Sequence, residues 1–116
     1  MERLYKYEPR FDSRKSFYGK AQEMERENGE KILFSYWTPI LKITADDKLY
    51  LTQYYNYSDT TLRHAVDFVK NYKKELRGNN LSYHNLGYNR ADFLRLNAEE
   101  IVTNWDRLNN GELINF

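Results

Sequence analysis

A chain of 116 residues holds one ordinary domain, because two independent cores would each bury too little surface to be stable. With 41% hydrophobic and 30% charged residues it belongs among folded globular proteins, and the lack of cysteine excludes disulfides, thiol nucleophiles and thiolate metal sites and makes the cytoplasm the expected location. A net charge of +1 is too small for bulk attraction to DNA or RNA, and no window approaches the roughly 20 apolar residues of a membrane-spanning helix.

Leu4 to Tyr7 can add an edge strand to a sheet formed by the segments that follow. Next comes the most individual stretch of the chain, Phe11-Asp12-Ser13-Arg14-Lys15-Ser16-Phe17-Tyr18-Gly19-Lys20-Ala21, in which basic and aromatic residues alternate beside hydroxyls. Such a mixture can hold phosphate by charge and stack a base on a ring, which makes Arg10, Arg14, Lys15, Phe17, Tyr18 and Lys20 candidate nucleic-acid-binding residues. A plainer account has Asp12 or Ser13 capping a turn, Phe17 and Tyr18 in the core and the basic side chains solvated. Few charges are present to drive phosphate binding, which favours the plainer account. The two ends differ in sign: residues 1–22 hold six basic and three acidic residues, while 97–116 hold one basic and four acidic.

Glu27-Asn28-Gly29 lies between two strand-like runs and marks a hairpin, since Asn-Gly readily adopts the positive φ of tight turns. A two-residue loop would oppose Glu27 to Glu30 and Arg26 to Lys31, both like-charged pairs. A three-residue loop closed by Gly29 instead pairs Arg26 with Glu30, Glu25 with Lys31 and Met24 with Ile32, so this register is expected. The outgoing strand runs from Lys31 to Trp37, with a bulge or bend at Thr38-Pro39, because proline removes a ladder donor. Ile40 to Ile43 and Leu49 to Tyr55 supply further strands around a turn at Ala45-Asp46-Asp47-Lys48.

Ser58 and Asp59 can cap a helix reaching Arg77, in which Leu62, Ala65, Val66, Val69, Tyr72 and Leu76 form one apolar stripe. His64 falls well off that stripe and is expected at its flank; neither it nor His84 has a partner at a diagnostic triad or metal spacing. Asn97 followed by Glu100 resembles a capping box and predicts a second helix from Ala98 to Leu108, while Leu81 to Leu96 reads as either helix or short strand. The expected fold is therefore α+β, a three- to four-stranded antiparallel sheet packed with two helices, with Trp37 and Trp105 buried. Asp46-Asp47 reads as turn chemistry, and no motif points to a metal or cofactor, which favours binding over catalysis.

The stretch from Phe11 to Ala21, then Leu33-Phe34-Ser35-Tyr36 with Thr38-Pro39, then Tyr57-Ser58, Thr60-Thr61-Leu62-Arg63-His64 and Phe68, resembles an uncharacterised family of small proteins encoded by phages and mobile elements of Gram-positive bacteria. The resemblance covers the first two-thirds of the chain and leaves residues 78–116 as a C-terminal extension. It implies no catalytic residues. The phage setting implies either an inhibitor that binds a host defence protein, such as a CRISPR nuclease, or a small accessory nucleic-acid-binding protein in the bacterial cytoplasm. Eleven tyrosines exceed the needs of one small core, so Tyr54, Tyr55, Tyr57, Tyr83 and Tyr88 are candidate protein-contact residues. Glu99, Glu100 and Asp106 are candidate acidic contacts to a basic groove of such a partner.

Overall fold

Opposite charges choose the register of the first hairpin. In the computed structural model, which describes residues 3–8, 20–76, 89–103, 108–109 and 112–113, β2 (Ala21–Glu25) and β3 (Lys31–Ser35) run antiparallel, with Glu25 opposite Lys31 and Met24 opposite Ile32. The Arg26 N–H donates to the Glu30 carbonyl at 2.9 Å and the Gly29 N–H to the Arg26 carbonyl at 3.0 Å. Gly29 has a φ of 89°, as the residue closing a three-residue loop must. Ion pairs of 3.2 Å join Arg26 to Glu30 and Lys31 to Glu25, so the expected register is the observed one.

The next connection departs from expectation. β3 stops at Ser35, and Tyr36-Trp37 form a two-residue loop into β4 (Thr38–Ile43), where Thr38 pairs back with Ser35. Trp37, expected in the core, is exposed. The apolar run through Leu33, Phe34, Tyr36 and Trp37 reads as continuous strand, and neither glycine nor asparagine announces the reversal. The irregularity at Pro39 is present: Leu33 pairs with Leu41 but Phe34 with Pro39, leaving Ile40 as the extra residue. The Pro39 carbonyl accepts the Thr52 hydroxyl at 2.8 Å, which satisfies a buried group at the bulge.

β5 (Leu49–Thr52) pairs antiparallel with β4 after a turn in which the Asp47 N–H donates to the Thr44 carbonyl. α1 (Asp59–Tyr72) begins where Ser58 Oγ accepts the Thr61 N–H at 3.1 Å. It ends at Tyr72 rather than near Arg77, and a short 3-10 turn (Lys74–Leu76) follows. At the break, the buried Lys73 ammonium turns back to Asp47 and Glu75.

The second helix is displaced from its expected place. α2 (Arg90–Asn97) is capped by Asn89, whose side chain accepts the Asp92 N–H at 2.8 Å. Asn97 closes this helix instead of opening the next, because its side-chain amide donates to the Phe93 carbonyl at 2.8 Å. Ala98–Val102 is then a strand, β6, paired in parallel with β5. Two short strands, β7 (Leu108–Asn109) and β8 (Glu112–Leu113), pair in a separate ladder. The expected helix over Ala98 to Leu108 is thereby corrected, while Trp105 lies outside the described residues.

With β1 (Arg3–Lys6) antiparallel to β2, the main sheet has six strands in chain order, all neighbours antiparallel except β5 and β6. The fold is α+β, with two α-helices among the described residues, and the sheet is larger than expected and mixed. The parallel pair follows from the intervening helices, since β5 reaches β6 only through a crossover containing α1 and α2. Leu33, Leu41 and Leu51 stand side by side across the sheet and are fully buried in a core that includes Phe68, Val69, Phe93 and Leu94 from the helices. Each such burial contributes about 1.5–3 kcal/mol.

Candidate interaction surface at the Tyr36-Trp37 tip

Tyr36 has a φ of 53° and Trp37 a φ of 66°. A two-residue loop with both central residues at positive φ is a type I′ turn, which Asn-Gly fills without strain and bulky aromatics do not. Each such residue costs of order 1–3 kcal/mol and persists only where its surroundings over-determine it.

Those surroundings come from two directions. On one side the Tyr36 N–H donates to the Lys20 carbonyl at 2.8 Å, and the Lys20 ammonium lies 5.6 Å from the centre of the Tyr36 ring. On the other, the Tyr36 and His64 ring centres are 6.2 Å apart. Beneath the tip, Ser35 Oγ lies 2.8 Å from His64 Nδ1 and 3.3 Å from Thr61 Oγ1, and the Ser58 hydroxyl donates to Thr61 Oγ1 at 3.1 Å. A continuous hydroxyl and imidazole chain therefore ties β3 to the N-terminal turns of α1. Ser35, Thr61 and His64 are all buried, so the Ser35-His64 contact joins β3 to α1 in the interior.

Above this chain the surface is aromatic. Trp37 is 65% exposed, Tyr36 46% and Tyr57, beside the cap residue Ser58, 78%. Single exposed apolar residues are ordinary, but two adjacent rings held out at a strained turn form a surface suited to contact.

Residues 5–82 match a family of unknown function, DUF8033. The chain belongs to that family. The tip, the buried chain beneath it and Lys20 all lie within the span that defines the DUF8033 match, whereas β6 lies beyond it. Neither a curated protein nor a solved structure matches significantly.

The residues expected to act are only partly gathered at this surface. Tyr57 is exposed next to Ser58, but Tyr55 is buried and Tyr54 packs against the core, so the three do not form one patch. Glu99 and Glu100 are exposed on β6 rather than on a helix. Lys20 is exposed beside Tyr36, while Arg10, Arg14, Lys15, Phe17, Tyr18, Tyr83, Tyr88, His84 and Asp106 lie outside the described residues. His64 is fully buried, a correction to its flank assignment: α1 buries a wide arc that includes Thr61, His64, Ala65, Phe68 and Val69, broader than the stripe drawn through its aliphatic residues. Asp46 and Asp47 serve the turn and the Lys73 ion pair, and no group of metal-binding side chains occurs among the described residues.

Sequence reasoning missed Tyr36 and Trp37 as surface residues. The available signal was Thr38-Pro39 directly after them, since a proline so close to the end of a strand limits how far the ladder can extend.

Proposed function

We propose that this chain works by non-enzymatic binding and seats the Tyr36-Trp37 tip in a partner protein. The observation that carries the reading is the pair of adjacent bulky aromatics at positive φ, both exposed. A turn kept strained where Asn-Gly would be relaxed points to a use for the rings themselves. Tryptophan and tyrosine supply large rigid contact area and dominate interface hot spots. The resemblance to phage proteins supports a host defence nuclease, inhibited by contact, as the partner class.

The test is to co-express the protein with candidate defence nucleases and follow co-purification and loss of cleavage. Replacing the tip by the relaxed pair, Tyr36→Asn with Trp37→Gly, should abolish both while the fold stays intact. Binding that survives this replacement would sink the tip as the contact.

One observation favours a second reading, single-stranded nucleic acid as the partner. The Lys20 ammonium stands over the Tyr36 ring, which places a phosphate-binding charge beside a stacking surface. That reading requires affinity that falls steeply with salt, with a slope reduced by about one on Lys20→Ala. Absence of binding at low ionic strength removes it.

A further inference from the structure

The six-stranded sheet ends in two edges of opposite character. β1 and β6 each pair on one side only among the described residues. β1 is exposed along its whole length and carries Arg3, Leu4, Tyr5 and Lys6. β6 exposes Glu99, Glu100 and Ile101, with Ala98 and Val102 half-buried at its ends. Along the sheet order, strand directions place β1 and β6 parallel to each other, because four antiparallel steps and one parallel step separate them. A second copy set beside the first could therefore continue the sheet by a parallel pairing of its β1 with β6.

We infer that β6 of one copy and β1 of another form this sheet-edge contact, so that the protein associates head to tail. In the register that sets Arg3 beside Glu99, Tyr5 falls beside Ile101, and Lys6 lies diagonal to Glu100. Unlike charges then meet, and two of the large apolar side chains left exposed, Tyr5 and Ile101, cover each other. On the face that carries Arg3 and Tyr5, a neighbour of β1 has to offer an acidic residue and then an apolar one two positions on, which Glu99 and Ile101 supply on the opposite edge of the same sheet. Among the described residues Arg3 contacts the Tyr5 hydroxyl at 3.4 Å and stands across the ladder from Glu25, and Lys6 pairs with Glu8 at 3.9 Å; all of these are surface contacts, so little is lost on pairing. The charges that keep each edge from stacking on its own kind favour the opposite edge. The contact is one short strand against another, so association is weak, concentration-dependent and open-ended.

The experiment is light scattering behind size-exclusion chromatography on the full chain. At low salt the average mass should rise about two-fold or more with protein concentration, and the rise should shrink at about 1 M salt, where the Debye length is about 3 Å. Arg3→Glu with Lys6→Glu should leave a monomer, as should Glu99→Lys with Glu100→Lys. Mixing those two double variants should restore association, because each then offers the edge the other lacks; misfolded variants would not do this. A wild type that stays monomeric at every concentration overturns the inference. So does association that persists in either double variant alone, or a mixture of folded variants that remains monomeric, since either means that another surface or another protein is the occupant of these edges.

Discussion

Ser35 Oγ and His64 Nδ1 lie 2.8 Å apart across 29 residues of sequence, so the strand that carries the aromatic tip is bonded in the interior to the first half of α1. The tip is therefore held by the helix as well as by its own hairpin. The contact is the innermost link of the chain through Thr61 to Ser58, and Ser58 also caps α1. Helix start and hairpin tip are thus fixed by one set of hydroxyls.

If the tip is kept strained for the sake of its rings, relieving the strain should stabilise the fold. Tyr36→Asn with Trp37→Gly supplies the residues a type I′ turn favours and removes penalties of order 1–3 kcal/mol each, partly offset by loss of the Tyr36 ring contacts with Lys20 and His64. Urea denaturation should show a higher midpoint than wild type with an unchanged slope. A lower midpoint would mean that the rings are there for stability.

Removing the Ser35 hydroxyl takes from Thr61 and His64 a partner that water cannot replace in the interior. Ser35→Ala should cost about 1–3 kcal/mol, and His64→Ala should be non-additive with it by about 0.5–3 kcal/mol. A double-mutant cycle on denaturation free energies checks this, and additive losses would show that the contact is incidental.

The parts of this fold legible in sequence are those where local chemistry and tertiary structure agree. Only one register of the Asn28-Gly29 hairpin avoids like charges, and Ser58 followed by an apolar stripe announces α1. The tip was hidden because Tyr36 and Trp37 adopt a turn that their own propensities oppose, under contacts from Lys20 and His64, which are distant in sequence. β6 was hidden for the reverse reason. Ala98-Glu99-Glu100 has strong helix propensity and Asn97 looks like an N-cap, yet the open edge of β5 recruits the segment as a strand. Of the candidate site, Lys20 was singled out from its chemistry, whereas the geometry that brings Tyr36 to Lys20 exists only in the folded chain.

Gly29 is required twice over. Its φ of 89° disfavours any side chain, and a Cβ there would stand 3.1 Å from Ala45 Cβ in the neighbouring turn. Gly29→Ala should lower stability by about 1–2 kcal/mol from the backbone conformation alone, and more if Ala45 cannot move. Thermal denaturation measures the loss. A neutral effect would mean that the hairpin re-forms with a different loop, visible as altered amide exchange in β2 and β3.

The last prediction concerns alkaline pH and rests on Tyr7. Its hydroxyl donates to Asp67 Oδ1 at 2.5 Å inside the core, with both residues buried. Burial chiefly, then the hydrogen bond to Asp67 and its charge, push the Tyr7 phenol far above the ordinary tyrosine range. A group whose pKa is raised in the folded state holds its proton there after the unfolded chain has released it. Its contribution is fully present below the unfolded value near 10 and is lost as pH rises above it. Above about pH 10 the protein should therefore lose stability by about 1.4 kcal/mol per pH unit from this residue. Tyr7→Phe should behave oppositely in the two regimes. Near neutral pH it should be less stable by about 1–3 kcal/mol, because Asp67 loses a buried donor. Above about pH 10 its stability should fall less steeply than that of the wild type, because the proton linkage is gone. Denaturation midpoints measured for both proteins between neutrality and about pH 11 decide the matter. Parallel pH profiles would show that the Tyr7 hydroxyl ionises in the folded protein much as it does in the unfolded chain, and that the buried pair with Asp67 opens before the fold does.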